Sequence, residues 1–211
     1  MTQLSEFQQR ISDCKACSLG ATRTNLVFGV GDPQAEILFI GEAPGYHEDR
    51  QGEPFVGAAG QLLNRLLATI GLNRGQVYIA NVLKCRPPGN RDPLPEEIER
   101  CRPHLEEQIR IIEPKVVCTL GRFAASFVLE RTVSMGAVHG RPVARNNAGG
   151  GSVTVFPLHH PAAALHQPAT LGALEEDFRR LGALLIEIRA AEREPEPAPE
   201  PVLVAEQMGL F

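Results

Sequence analysis

The run AEILFIGEAPGYHEDRQGEPFVG, residues 35–57, joins two kinds of sequence without a break. Its first seven residues, AEILFIG (35–41), are apolar and rich in strand formers; the remainder is dominated by glycine, proline and charge. Three other segments repeat the pattern: VYIANVLK (77–84), KVVCTLG (115–121) and SVTVFPL (152–158). Between them lie stretches with apolar residues at helical spacing. AAGQLLNRLLATIGL (58–72) ends near Gly71, PLPEEIERCRPHLEEQIRIIEP (93–114) opens on prolines and acids and stops before Pro114, and GRFAASFVLE (121–130) is shorter. A long helix is predicted over ALEEDFRRLGALLIEIRAAER (173–193). Strands alternating with helices predict a parallel sheet covered on both faces. The expected fold is α/β: three layers, α/β/α, around a central four-stranded parallel sheet in one domain over residues 1–190. Residues 191–211 are expected to form a disordered tail.

Composition is consistent with this. The chain has 211 residues and is 43% hydrophobic, enough for one sizeable core. No apolar run approaches the roughly 18 residues of a membrane span, and the opening MTQLSEFQQRISDC has no apolar signal region, so a cytoplasmic protein without membrane contact is expected. The net charge of −4 resides in residues 187–211, with six glutamates and two arginines; the body is neutral. A neutral body does not advertise nucleic-acid binding, but it permits a local basic face, and Lys84, Arg86, Arg91, Arg100 and Arg102 crowd together. Five cysteines in such a chain are expected to be reduced, so clustering points to metal or reactivity before disulfides.

Ligands of parallel sheets bind beyond the carboxyl ends of the strands. The first strand ends in Gly41-Glu42-Ala43, the second contains Asn81 and runs into Lys84-Cys85-Arg86, and the fourth runs into His159-His160-Pro161. Cys14 and Cys17 have the short spacing with which two thiolates grip one centre, and Cys85 with Cys101 can complete four ligands. Zinc and iron-sulfur are both compatible with four cysteines, and the gap between Cys85 and Cys101 does not separate them. Cys118, inside VVCTL, reads as a small buried hydrophobe.

GEAPG followed by PFVGAAGQLL, then Ala80-Asn81 before KCRPPGNR, then HHP, closely resembles the family 4 uracil-DNA glycosylases, the iron-sulfur branch of that superfamily. The resemblance covers about residues 10–186. It implies a [4Fe-4S] cluster on Cys14, Cys17, Cys85 and Cys101, and an enzyme of base excision repair that flips uracil out of DNA and hydrolyses its glycosidic bond. Under that resemblance Phe55 stacks on the base. Asn81 reads uracil by donating to O4 and accepting from N3–H, a pattern opposite to cytosine's. His160 donates to O2 as uracil leaves as an anion. Glu42 positions water or stabilises the sugar cation, Gly41 and Ala43 flank it in the substrate site, and Glu48 closes the pocket near uracil C5 against the methyl of thymine.

DNA contacts are assigned to Lys84, Arg86 and Arg91, and the wedge into the emptied stack to Leu165, because Ala162-Ala163-Ala164 replaces the bulkier residues common in the family. A basic KRRIH-type insertion, the mark of a relative that bonds covalently to its DNA product, is lacking, so simple turnover by a monomer is expected. A non-catalytic iron-sulfur protein that binds DNA or senses damage is the alternative class. A nucleotide-binding protein is disfavoured, since no Walker A or G-x-G-x-x-G turn follows a strand. The tail ends in Gln207-Met208-Gly209-Leu210-Phe211, which resembles the Q-x-x-L-F peptide that docks repair proteins on the replication sliding clamp through Gln207, Leu210 and Phe211.

Overall fold

The structure is a computed structural model and describes residues 2–146 and 152–191. The expected tail, with Gln207, Leu210 and Phe211, lies almost wholly outside the described residues. The sheet has six strands: β1 (Val30–Gly31), β2 (Ile37–Gly41), β3 (Tyr78–Asn81), β4 (Val116–Leu120), β5 (Val143–Asn146) and β6 (Ser152–Leu158). Their order is β1-β3-β2-β4-β6-β5. The expected four-stranded parallel sheet is therefore too small. Its four strands occupy the centre and run parallel, with Gly41 opposite Asn81 and Leu120 opposite Leu158. β1 and β5 add antiparallel edges, which makes the sheet mixed. Neither edge carries a readable pattern: β1 is two residues long, and β5 is the four-residue run VARN, half apolar and half polar, with the charged Arg145 on an edge strand.

Alternation along the central strands sends successive side chains to opposite layers. Ile37 and Phe39 pack with Leu62, Leu63, Leu66 and Leu67 of α3 (Ala58–Thr69) and with Phe178 and Leu181 of α8 (Pro168–Ala191). Phe39 and Phe178 stack with centroids 6.0 Å apart. Leu38 and Ile40 face the other way, toward Phe7 of α1 (Gln3–Ile11), Leu105 of α4 (Pro95–Ile112) and Phe127 of α5 (Arg122–Val128). Cys118 is fully buried in the first of these layers. Both faces of the central strands are thus covered, which is why their sequences are apolar throughout rather than alternating. Three short helices, α2 (Tyr46–Gln51), α6 (Met135–Val138) and α7 (Pro161–Ala164), complete the order. No helix among the described residues is long and apolar enough to cross a membrane.

Candidate active site

Because β2, β3, β4 and β6 are parallel, their carboxyl ends share one edge of the sheet. That edge opens into a cavity of about 330 Å³ lined by Glu42, Glu48, Phe55, Asn81, Arg91 and His160, among others. Ala43 and Ala162 line it as well. Gly41 is there for want of a side chain: a Cβ at this position would lie 2.3 Å from Asn81 Oδ1 and 2.6 Å from the Phe55 ring.

Phe55 is buried and sits in the left-handed region, φ 54°, an unfavourable conformation for a side chain of its size. Its surroundings hold it there. Arg74 donates to the carbonyls of Phe55 (3.1 Å) and Pro54 (2.7 Å). Glu48 Oε1 accepts from the backbone N–H groups of Val56 (3.0 Å) and Gly57 (3.1 Å), and Gly57 is the N-cap of α3. Glu48 thus fastens the Phe55 loop to a helix N-terminus, where a carboxylate is favoured.

Asn81 is 2% exposed, and its Oδ1 has no hydrogen-bond partner in the structure. A buried unpaired acceptor costs about 1–3 kcal/mol, so it marks a place where a donor is wanted. His160 is the N-cap of α7, and its Nδ1 accepts from Ala162 N at 3.1 Å. Burial pulls the imidazole down to about 4, with Glu48 opposing weakly. The ring is therefore neutral at physiological pH with its proton on Nε2, which makes it a hydrogen-bond donor. It stacks against Phe55 with centroids 5.6 Å apart. Burial raises Glu42 to about 7; Asp92 pushes in the same direction and Arg122 against it. Asp92 and Arg122 form an exposed ion pair of 3.5 Å. Arg122 directly follows Leu120-Gly121, a strand end where the sequence alone offers no polar group of evident use.

The basic face is mostly spoken for. Lys84, expected to contact DNA, is fully buried: Nζ donates to Asn81 O (2.8 Å) and Gln108 Oε1 (2.5 Å). Burial lowers it to about 8, offset in part by Cys101 and Cys85. It cannot reach a phosphate, and it braces the strand that carries Asn81. Arg91 donates from both terminal guanidinium nitrogens to the buried Glu97, at 2.9 and 2.6 Å. Arg102 is paired with Glu99 and Glu106. Arg86 bonds Asn90 Oδ1 at 2.7 Å and stands over the Tyr46 ring. Leu165, at the end of α7, is 40% exposed.

Cys14, Cys17, Cys85 and Cys101 line one small cavity with Arg23 and His104. All four are free thiols. Three of the sulfurs have nitrogen neighbours: Arg23 Nη1 donates to Cys85 (3.4 Å), Lys84 N donates to Cys101 (3.3 Å), and His104 Nε2 lies 3.2 Å from Cys14. Among the described residues no three such donors stand close enough to share a single ion.

A family model described as the uracil DNA glycosylase superfamily matches residues 28–181, which include every residue named for the cavity at the sheet edge but not Cys14, Cys17 or Arg23. The type-4 uracil-DNA glycosylase of Archaeoglobus fulgidus is 49% identical over 189 residues, covering 87% of this chain and 94% of that protein. The chain belongs to the type-4 branch of the uracil DNA glycosylase superfamily. It is 46% identical to the type-4 enzyme of Sulfurisphaera tokodaii over 88% of this chain and 86% of the relative. The type-4 enzyme of Thermotoga maritima matches at 46% over 74% and 80%. Membership accounts for the α/β fold. Tyr46, Arg74, Asp92, Arg122, Arg23 and His104 are the site neighbours that sequence reasoning missed, since each acts through a partner distant in the chain.

Proposed function

We propose that this chain excises uracil from DNA by hydrolysis of the N-glycosidic bond, leaving an abasic site. The observation that carries the reading is the meeting, at one sheet edge, of an unpaired buried amide acceptor, a neutral histidine donor and a half-buried carboxyl. The target base must leave the stack to be reached. Phe55 offers the flipped base a face. Asn81 Oδ1 accepts from uracil N3–H; cytosine has no hydrogen there and would leave the acceptor orphaned. As the bond between C1′ and N1 breaks, its electron pair passes into the ring and charge builds on O2, toward which His160 Nε2–H donates. The sugar becomes a cation, which the Glu42 carboxylate stabilises or supplies with an oriented water. Water adds its oxygen to C1′, and the displaced proton balances the uracil anion. Glu48 contributes by holding Phe55 in place, and its position beside Gly45 keeps it as the wall that excludes a methyl at uracil C5.

Cys14, Cys17, Cys85 and Cys101 would hold a [4Fe-4S] cluster. Four thiols lining one small cavity, with N–H groups of Arg23 and Lys84 on two of the sulfurs, suit a thiolate-bound centre, and the resemblance to the iron-sulfur branch favours the cluster over one zinc ion. Such a cluster would supply rigidity to the segment after β3, and no step of the hydrolysis passes through it. Arg86 and the free edge of Arg91 would meet phosphates, and Leu165 would enter the vacated stack. The terminal QMGLF would dock on a sliding clamp, raising local concentration at copied DNA.

The test is release of free uracil from a uracil-containing oligonucleotide. Release that is lost in Asn81→Ala supports the reading, and binding without release would replace it with the non-catalytic alternative. Iron and acid-labile sulfide, both lost in Cys85→Ser, are expected from protein purified without oxygen; stoichiometric zinc would refute the cluster. Truncation after Glu206 is expected to abolish clamp binding and leave uracil release unchanged.

A further inference from the structure

Tyr46 is 51% exposed, unusual for so large an apolar surface. It opens α2 next to Gly45, a residue of the cavity wall. Exposed aromatic side chains usually move freely, yet this ring is held from two sides. His47 meets it edge-on, with centroids 5.4 Å apart at 82°. The Arg86 guanidinium stands 5.2 Å from its centroid. Arg86 is in turn fixed by Asn90 Oδ1, and Asn90 also lines the cavity. A chain of contacts thus runs from one lip of the cavity, Gly45, through Tyr46 and Arg86 to the other lip at Asn90. The ring contributes nothing to either core layer.

We propose that Tyr46, backed by Arg86, is a stacking subsite for the nucleobase adjacent to the flipped nucleotide on the same strand. This rests on the excision reading. When a base leaves the stack, its neighbour loses a stacking partner, and an immobilised aromatic at the pocket mouth can supply a replacement face. Every base has a π-face, so the subsite tolerates any neighbour. A guanidinium against the ring adds cation–π attraction and places positive charge where the backbone must pass. The order imposed on Tyr46 before DNA arrives reduces the entropy lost on binding.

The experiment measures binding of the full-length protein to single-stranded oligonucleotides. They contain one 2′-fluoro-2′-deoxyuridine, whose electron-withdrawing fluorine slows glycosidic cleavage. Its 5′ or 3′ neighbour is either thymine or an abasic tetrahydrofuran. Wild type is expected to lose about tenfold in affinity when the base on one side is removed, in line with the usual strength of base–aromatic stacking. Tyr46→Ala should already be weaker by a similar factor and indifferent to that removal, while Tyr46→Phe should behave as wild type. A merely structural tyrosine would weaken binding equally with and without the neighbour. The subsite is refuted if wild type ignores both neighbours, or if Tyr46→Ala keeps the wild-type dependence. Neighbour-dependent binding by a wild-type protein that releases no uracil from ordinary deoxyuridine would support the subsite and overturn the excision reading instead.

Discussion

Glu42 makes the sharpest prediction because its role depends on its charge. Burial holds its carboxyl at about 7. If the ionised form is the active one, the single-turnover rate on a saturating oligonucleotide follows the ionised fraction. With a midpoint near 7 that fraction is about one tenth at pH 6 and about nine tenths at pH 8, so the rate should rise roughly tenfold across the interval. His160, near 4, stays neutral throughout and adds no limb. Glu42→Gln should be slow and flat over the same range. The neighbours give a signed check: Asp92→Asn removes a negative charge that resists ionisation and should move the midpoint down, whereas Arg122→Gln should move it up. Stability runs the other way. The native state holds this proton more tightly than the unfolded chain, so Glu42 contributes a stability that is lost as pH rises through about 7. Glu42→Gln should accordingly melt higher than wild type at pH 8. An unchanged limb in Glu42→Gln, or Asp92 and Arg122 variants that shift the midpoint the same way, would remove Glu42 from this role.

His160→Ala should slow cleavage by about a hundredfold with little change in DNA affinity, since its hydrogen bond strengthens only as O2 gains charge; an equal loss in both would make it a structural residue. Asn81→Asp should weaken uracil excision and admit some cytosine when the new carboxyl is protonated, and an oligonucleotide assay with each base measures this directly. Lys84→Met should lower the melting temperature yet leave the salt dependence of DNA binding unchanged, while Arg86→Gln should reduce that slope by about one charge. A flattened slope in Lys84→Met would show that the buried ammonium reaches the DNA after all.

The central strands were legible because burial on both sides leaves a continuous apolar run such as ILFI or VVCTL. The edges were not, because β1 is too short to have a period and β5, VARN, has only four residues and no sustained apolar run. That Glu42, Asn81 and His160 line one cavity was legible for the same topological reason: a parallel sheet gathers its carboxyl ends. What sequence could not supply was pairing. Lys84 reads as one more surface cation until Gln108, on α4, is seen to hold its ammonium in the interior. Arg91 reads as a wholly free cation until Glu97 is seen to hold one edge of its guanidinium. Glu48 reads as a pocket wall, and only coordinates reveal its bonds to Val56 and Gly57.

An orphaned polar atom alone would not have located the site. Thr119 Oγ1, on β4, is also buried without a partner, and it does not line the cavity. What separates Asn81 is company. Within the same cavity stand a carboxyl whose ionisation is resisted by burial, a histidine kept neutral by burial, and an aromatic held in an unfavourable backbone region by Arg74 and Glu48. The unpaired amide, the carboxyl above about pH 7 and the twisted aromatic each cost stability, and a core selected only for packing would discard them. A flipped base carrying an N–H for Asn81, an oxygen for His160 and a sugar that turns cationic beside Glu42 would engage amide, histidine and carboxyl together. The twist at Phe55 would persist because it sets the face against which that base lies. Under the excision reading these features would be complementary to one ligand and to the transition state of one reaction, and such complementarity is what separates a site from a set of local defects.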